Sequence, residues 1–381
     1  MATQDFIRRM PEASYHLRRR SSLSQRLGID VPLLLLLLTL TAYGLTVLIS
    51  ASDDSPSYIK RQVTFFVLAY GVMFAIAQVK LHSLMRWAPV MWGLGVALLV
   101  AVIFFGVGAK GAQRWLSVGG FRFQPSEIMK VILPITIAAY FAQRSLPPGI
   151  KHIFWCLVLV FVPTLLILKQ PDLGTSLLIA SSGLVVLFFA GIRWRLIFGA
   201  LALLLASIWP MWHFVLLDYQ KQRVLTLFSP ESDKLGAGWN IIQSKTAIGS
   251  GGVHGKGWLQ GTQSHLDFLP ESHTDFIIAV LAEEFGLMGV LLLMAIYLLI
   301  FLRGMYIAMS AQDTFSRLLA GSITVTFFVY VFVNMGMVAG LLPVVGVPLP
   351  LVSHGGTSLL TLMMGFGLLM AVSTEPKRVT M

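Results

Sequence analysis

Ten runs of mostly apolar residues follow one another along the chain, separated by polar or glycine-rich connections. Most are close to the roughly 20 residues that a helix needs to cross a bilayer. The pattern therefore predicts an all-α integral membrane protein, a bundle of about ten transmembrane helices. The predicted spans are 32–51, 62–79, 87–107, 127–143, 152–168, 173–191, 195–217, 276–302, 316–340 and 356–373.

The composition is typical of a membrane protein and argues against a soluble domain and a cysteine-based scaffold. Of the 381 residues, 56% are hydrophobic and 12% charged, whereas about 25% are charged in soluble domains. The single cysteine, Cys156, excludes a disulfide framework and a cysteine-ligated metal cluster, and we interpret it as a packing residue. The net charge of +11 favours contact with anionic lipid headgroups over a nucleic-acid partner.

The distribution of lysine and arginine predicts the orientation of the chain. An even number of spans puts both termini on one side, and basic residues are concentrated in the loops on that side, which predicts that it is the cytoplasm. Residues 1–30 then form a basic cytoplasmic arm and not a cleavable signal peptide. Residues 31–373 form the membrane domain, and 374–381 form a cytoplasmic tail. A large, partly helical loop, 218–275, lies outside, between the seventh and eighth spans.

Three polar segments fall on the predicted outer face, where function is expected to concentrate. They are 108–126, the loop 218–275 and the segment 341–358. The last contains three prolines, which rule out regular helix. Irregular backbone at the membrane boundary must be shielded by protein or line a wet cavity.

Several charged residues border these segments, and each has two interpretations. Glu127 and Lys130 are three residues apart and can form an ion pair on one helix face. Alternatively, Lys130 and Arg114 form a cationic lining for a pyrophosphate. Asp172 either caps the sixth span or contributes to a polar cavity.

The glycine-rich stretch GSGGVHGKG, 249–257, lacks the spacing of a nucleotide-binding loop. It is either a flexible turn or a set of backbone N–H groups near an anionic headgroup. The outer-face histidines show no zinc-binding pair. The sequence shows no required cofactor, but magnesium held by carboxylates and substrate phosphates stays open. These histidines are His254, His265, His273 and His354.

Acidic residues open the eighth span in the stretch PESHTDFIIAVLAEEFGLMG, 270–289. Thr274 or Asp275 is predicted to start the helix, and Asp275 is either a functional acid or simply a cap. Glu283 follows about 12 Å deeper, where an acid must pair, protonate or face a cavity. On the helix, Glu283 projects within about 80° of Asp275, whereas Glu284 projects to nearly the opposite face from Asp275, so the two glutamates are expected to have different surroundings.

Seven motifs in order resemble the SEDS family (shape, elongation, division and sporulation), particularly its rod-shape-determining branch. They are KGAQRWL, RFQPSE, QPDLGTS, TAIGSGG, GKGWLQGTQ, FLPESHTDFI and VVGVPLPLVSHGG, and the resemblance extends from about residue 30 to 373. One departure is His354, where the family often has tyrosine. The resemblance implies a peptidoglycan glycosyltransferase that polymerises lipid II on the outer face of the cytoplasmic membrane. It also implies a class B penicillin-binding protein as the crosslinking partner.

The resemblance also implies roles for individual residues. The family's essential aspartate falls on Asp275, and its charged core residues fall on Arg114, Glu127, Lys130 and Asp172. Our hypothesis is that Asp275 takes the proton from the attacking sugar hydroxyl, while Glu283 is a supporting or structural group below it. Cations would stabilise the leaving pyrophosphate, with magnesium as a further candidate. The candidate cations are Arg114 and Lys130, with Arg223, Lys245 or Lys256 from the long loop.

Two other functions remain open from the residues alone. Ten spans with buried charges and broken helices also suit a transporter that flips lipid II across the bilayer. A non-catalytic scaffold of the elongation machinery is the other alternative. Clustering of the polar segments on one face favours surface chemistry over both.

Overall fold

The structure is a computed structural model, and it describes residues 27–52, 56–109, 112–118, 121–216, 218–232, 237–262 and 273–375. Most of the predicted basic arm and of the predicted tail lies outside these residues. Within the described part, nine helices are long and apolar enough to cross a membrane, and Leu173–Phe189 is a shorter apolar helix. The predicted bundle of about ten spans is therefore confirmed.

The spanning helices follow the predicted apolar runs closely. The largest difference is in the eighth span, which was predicted to end at 302 and continues to Ser310. Arg303 marked the predicted end, but its guanidinium pairs with Asp30, so its charge does not stop the helix. The spans are α1 Val31–Ala51, α2 Pro56–Ala77, α3 Leu81–Phe105, α4 Pro125–Ala142, α5 Ile150–Leu168, α6 Leu173–Phe189, α7 Trp194–Pro210, α10 Ile277–Ser310, α11 Thr314–Val338 and α12 Thr357–Thr374.

The centre of the bundle is formed by α4, α6 and α11, which contact one another. The helix α4 is the most enclosed, and its first turn carries Glu127 into the bundle. Around this centre, α2 packs on α12, α3 on α4, and α1 on α10. In contrast, α7 has no buried residue, and a π-helical turn, Met211–Val215, follows it. Its apolar side chains are therefore placed to face lipid.

A small antiparallel sheet joins α3 to α4, which the sequence analysis did not predict. Its strands are β1 Val107–Ala109, β2 Ala112–Val118 and β3 Phe121–Phe123, in the order β1-β2-β3. Backbone groups at a membrane boundary need internal partners, and strand pairing supplies them over this short polar segment. The middle strand carries Arg114.

The long loop is partly helical, as predicted. It contains α8 Asp218–Phe228, a 3₁₀ turn Pro230–Ser232, and α9 Ala237–Gly251, and α9 packs against α10. The segment between α11 and α12 has no regular helix, which confirms the prediction made from its prolines. We call residues 339–356 the proline segment.

The glycine-rich stretch contains the predicted turn, at 252–254, and its backbone contacts the membrane helix α10. Its first residues end α9, and the next ones pair with a break in α10 at Gly286, which has φ 64° and ψ −163°. The N–H groups of Lys256 and Gly257 donate to the carbonyls of Glu283 and Glu284, both at 3.0 Å. The N–H groups of residues 255–257 therefore already donate to protein carbonyls, which leaves them unavailable to an anionic headgroup.

Candidate active site

Asp275 lies in the turn 273–276, immediately before α10 begins at Ile277. The N-cap of α10 is Phe276, which makes no side-chain cap hydrogen bond. The prediction that Thr274 or Asp275 starts this helix was therefore wrong. Asp275 is half-buried, so its carboxylate is partly screened from solvent yet can still be reached.

The carboxylate of Asp275 faces the proline segment at Gly346. A Cβ atom added to Gly346 would lie 3.5 Å from Oδ2 of Asp275, and the φ of Gly346 is +74°. Glycine is the residue that adopts this conformation readily and lets backbone approach closely. The backbone of the proline segment therefore forms one wall of the space around the carboxylate.

A second charged group joins the middle strand of the sheet to the start of α6. Arg114 Nη1 lies 3.6 Å from Asp172 Oδ2, and Nη2 donates to the carbonyl of Pro171. Asp172 also caps α6, because its Oδ1 accepts from the N–H of Thr175 at 3.2 Å. The predicted cap is confirmed, and the same carboxylate holds Arg114, whose side chain is 33% exposed.

The third charged group lies in the first turns of α4. Lys130 Nζ donates to Glu127 Oε1 at 2.6 Å, which confirms the predicted ion pair. Thr361 of α12 donates to the other oxygen of Glu127 at 2.9 Å. The ammonium of Lys130 also lies 5.2 Å from the centre of the Tyr330 ring. Both charges are nearly buried, and the side chains that contact them come from α4, α11 and α12.

The proline segment connects these groups in space. At the start of α6, a Cβ atom on Gly174 would lie 2.7 Å from the carbonyl oxygen of Val345, the neighbour of Gly346. Lys245 of α9 reaches the other end of the segment, because a Cβ atom on Gly340 would lie 2.6 Å from its Nζ. Asp275, Lys245 and the start of α6, which Asp172 caps, therefore all border one irregular segment.

Of the two remaining candidate cations, Lys256 and Arg223, the first is bound to a buried acid. Lys256 Nζ lies 2.7 Å from Oε1 of the fully buried Glu283, which also accepts from the N–H of Thr262 at 2.8 Å. Glu284 instead accepts a hydrogen bond from Ser50 of α1. The two glutamates have different surroundings, as predicted, and Glu283 holds the loop onto α10. Arg223 lies on α8, and its side chain is outside the described part of the chain.

Aromatic rings gather beside the turn that carries Asp275. The ring of Tyr58 lies 5.3 Å from that of His273 and 5.6 Å from that of His354, measured between centroids. Burial, together with the positive potential of His273 and Arg61, lowers the pKa of His354. The neutral imidazole is thereby favoured at physiological pH. Of the other predicted histidines, His254 is exposed and His265 is not among the described residues.

Sequence reasoning missed several uncharged residues that hold the charged ones. Gln124 donates to Asp172 at 3.2 Å, while Thr361 and Tyr330 contact the Glu127–Lys130 pair. Asn334 of α11 donates to the backbone at Asp275. The sequence did offer a signal for Asn334, because an amide side chain within an apolar span is costly in a membrane unless it has a hydrogen-bond partner.

Comparison with known proteins decides the family. A family model described as a cell cycle protein family, FtsW/RodA/SpoVE, matches residues 31–378. The chain belongs to the SEDS family. Among curated SEDS relatives, the peptidoglycan glycosyltransferase MrdB of Escherichia coli K12 is 52% identical over 92% of this chain and 95% of its own.

Solved SEDS structures have the same fold. A chain from a peptidoglycan synthase complex, solved to show how polymerization and crosslinking are coordinated, superposes with a TM-score of 0.80 at 30% identity, covering 90% of this chain and 97% of that one. The rod-shape-determining protein RodA of Thermus thermophilus gives a TM-score of 0.69 at 27% identity, covering 92% and 98%. This SEDS chain is therefore a multi-pass, mostly helical membrane protein.

Proposed function

We propose that this chain is a peptidoglycan glycosyltransferase that polymerises lipid II into glycan strands during cell elongation and rod-shape maintenance. The observation that carries the proposal is the position of the Asp275 carboxylate. It is half-buried at the predicted outer end of α10, against Gly346 of a segment that charged residues border. The curated relatives of the family carry the same activity in their names, which favours the enzyme over a flippase or a scaffold.

The proposed reaction joins an acceptor hydroxyl to the anomeric carbon of a second lipid-linked sugar. Asp275 accepts the hydroxyl proton as the oxygen attacks, the new glycosidic bond forms, and the bond to undecaprenyl pyrophosphate breaks. A single displacement inverts the α-linked donor to a β-linked product. A positioned carboxylate base typically contributes 10²–10⁴ in rate.

The leaving pyrophosphate gains negative charge in the transition state, and preorganised cations stabilise it. Arg114 is the first candidate, because its guanidinium has five N–H donors and remains partly exposed. Lys130 offers further N–H groups beyond the one directed to Glu127. Lys245 and Arg223 are candidates from the loop, whereas Lys256 is already held by a buried glutamate.

We assign no step to a divalent cation. Asp172 and Glu127, which pair with Arg114 and Lys130, are each already in an ion pair. Among the described residues there is also no group of three or more histidine, cysteine, aspartate or glutamate side chains that is arranged to hold a metal. Magnesium held mainly by the substrate phosphates needs no such group and stays a proposal.

The proposed setting is the cytoplasmic (inner) membrane, with both termini in the cytoplasm and the active face in the periplasm. The excess of lysine and arginine in the loops on the side of the termini supports this orientation. The proposed partner is a class B penicillin-binding protein that contacts the chain through transmembrane and periplasmic surfaces. The similarity to a chain from a synthase complex that polymerises and crosslinks supports such a partner.

Substitution of Asp275 by asparagine tests the function directly. Wild-type and Asp275→Asn proteins, each with the transpeptidase partner, are given labelled lipid II, and glycan products are resolved by length. We expect the variant to lose about 10²–10⁴ in rate, since asparagine cannot accept the proton. Asp218→Asn changes an exposed acid at the start of α8 and should polymerise at the wild-type rate.

The alternative functions predict other results. Glycan ladders from Asp275→Asn at the wild-type rate would contradict the proposed base. Movement of lipid II across liposomes without polymer would favour the transporter. Failure of both the wild type and the variant to make glycan would favour the scaffold.

A further inference from the structure

Three long-range hydrogen bonds hold the turn that carries Asp275. They fall on three consecutive carbonyl groups, each of which accepts from a different residue of α11 or the proline segment. The pairs are His354 N–H to the His273 carbonyl at 2.9 Å, Ser353 Oγ to the Thr274 carbonyl, and Asn334 Nδ2 to the Asp275 carbonyl at 2.9 Å. The position of the turn therefore depends on groups that lie far away in the sequence.

Asn334 makes the most informative of these contacts. Its side chain is fully buried on α11, and the same Nδ2 also donates to the carbonyl of Val347 at 2.7 Å. An amide –NH₂ has two donor hydrogens, so one nitrogen serves both carbonyls. Val347 follows Gly346, which faces the carboxylate of Asp275. The amide thus joins the backbone of Asp275 to the wall opposite its carboxylate.

We propose that Asn334 is a positioning residue that sets the distance between the Asp275 carboxylate and the proline segment. This inference rests on the function proposed above. A general base must lie within about 2.6–3.2 Å of the oxygen it deprotonates, and a displacement of about 1 Å can lower the rate roughly 10²-fold. Neither the turn nor the proline segment has a helical hydrogen-bond ladder to hold its position. The Asn334 bridge supplies that constraint.

A purely structural role for Asn334 makes a different prediction. A buried amide that only satisfied two carbonyls would stabilise the fold, and its loss would lower the thermal midpoint without a selective effect on turnover. A positioning role affects kcat in particular, because binding of the lipid-linked substrate does not depend on where the base lies. The two roles therefore separate in a comparison of kcat with KM.

The test measures kcat and KM for lipid II in the full-length protein with its partner, together with thermal stability in detergent. We expect Asn334→Ala to lower kcat by about 10- to 100-fold with KM within about twofold of wild type. The matched control is Ser322→Ala on the same helix. Ser322 is also fully buried and donates to the carbonyl of Ser182 at 2.9 Å, but it lies about 18 Å away along the helix. Its loss should lower the thermal midpoint similarly and leave kcat unchanged.

Ser353→Ala is a second variant, which also tests the proposal should Asn334→Ala fail to fold. It removes the hydrogen bond to the Thr274 carbonyl, together with the one that Ser353 Oγ accepts from Leu349 N–H at 2.8 Å, and leaves the Asn334 side chain in place. It should therefore also lower kcat with little change in KM. The double variant Asp275→Asn/Asn334→Ala should be no slower than Asp275→Asn alone, because Asn334 acts through Asp275.

The outcomes distinguish this inference from the function on which it rests. If Asn334→Ala and Ser353→Ala keep the wild-type kcat while Asp275→Asn is inactive, the positioning role is overturned and the proposed base stands. If Asp275→Asn itself keeps the wild-type rate, the base is overturned and the positioning role with it.

Discussion

Lys130 forms a nearly buried ion pair and is also a proposed ligand of the leaving pyrophosphate. Its ammonium is held by Glu127 and lies against the Tyr330 ring, in a nearly buried site on α4. Removing one partner of a buried ion pair typically costs more than the pair itself contributes, because it leaves a desolvated charge without compensation. Loss of activity in a single variant would therefore not separate phosphate binding from folding.

A paired substitution separates the structural role of Lys130 from its proposed role in binding pyrophosphate. Lys130→Met leaves Glu127 without its cation and should lower the free energy of unfolding by about 3–5 kcal/mol. Glu127→Gln/Lys130→Met replaces both charges with neutral groups of similar size and should recover most of that stability. If Lys130 also stabilises pyrophosphate, the double variant remains inactive.

The measurements are thermal unfolding in detergent and glycan synthesis from lipid II. Full activity in the double variant would show that Lys130 serves only to neutralise Glu127. Unchanged stability in the single variant would contradict the importance of the buried pair.

Among the elements, α10 is unusual because it is interrupted inside the membrane domain. The break at Gly286 exposes backbone groups, and residues 252–257 satisfy them from the loop. Leu287 N–H donates to the Gly252 carbonyl at 3.0 Å, next to the Lys256–Glu283 ion pair. Unpaired backbone groups are costly at membrane depth, so the loop and the break depend on each other.

The break predicts a strong requirement for glycine at position 286. A Cβ atom there would lie 2.3 Å from the backbone nitrogen of Gly255, and the φ of +64° with ψ of −163° suits glycine almost alone. Gly286→Ala should lower the free energy of unfolding by about 1–3 kcal/mol from strain, and the clash adds to this. Thermal unfolding of the purified protein is the measurement.

Gly199 of α7 provides the control, because a Cβ atom there meets nothing within 4 Å. Gly199→Ala should be neutral or stabilise the helix by up to about 1 kcal/mol. Equal stability of the two variants would contradict the strained break.

At the scale of the whole molecule, three hydrogen-bonded side chains join helices at the end of the bundle opposite the candidate active site. We call this group, Asp30, Arg303 and Ser373, the polar clasp. Asp30 accepts from Arg303 Nη2 at 2.7 Å and from Nε at 3.0 Å, and Ser373 also donates to it. The clasp joins α1, α10 and α12, about 40 Å along α10 from Asp275. Burial acts to raise the pKa of Asp30, but the hydrogen bonds from Arg303, Ser373 and Leu33 N–H outweigh it and lower that pKa.

Asp30→Asn tests this clasp with the active site left intact. Asparagine still caps α1, so the change removes mainly the charge that Arg303 binds. We expect a loss of about 1.5–3 kcal/mol in unfolding free energy at neutral pH, with kcat unchanged.

The lowered pKa of Asp30 determines how its contribution to stability depends on pH. The carboxylate contributes fully to the free energy of unfolding above the pKa of the unfolded state, about 3.9. This contribution disappears as pH falls through the lower pKa of the folded state. The stability difference between wild type and variant should therefore be constant from about pH 5 to 8 and shrink below about pH 4. A difference that persisted unchanged through strong acid would contradict the charge-based role of Asp30.

Local features of the sequence determined much of this molecule. Lipid accepts only apolar helices or closed barrels, so long apolar runs predicted all the spans. The Glu127–Lys130 pair follows from a spacing of three residues on one helix, and the cap by Asp172 follows from its place before α6. Prolines excluded helix from the proline segment whatever its neighbours.

Only the tertiary structure decided which distant groups meet. The sequence placed Arg114, Asp172 and Asp275 on one face, but packing of α6 and α11 against the proline segment brought Gly346 to the Asp275 carboxylate and Asn334 to its backbone. Lys256, a predicted phosphate ligand, was instead directed to Glu283. The reason is physical: helix, cap and turn preferences act over a few residues, whereas these contacts depend on how separate helices pack.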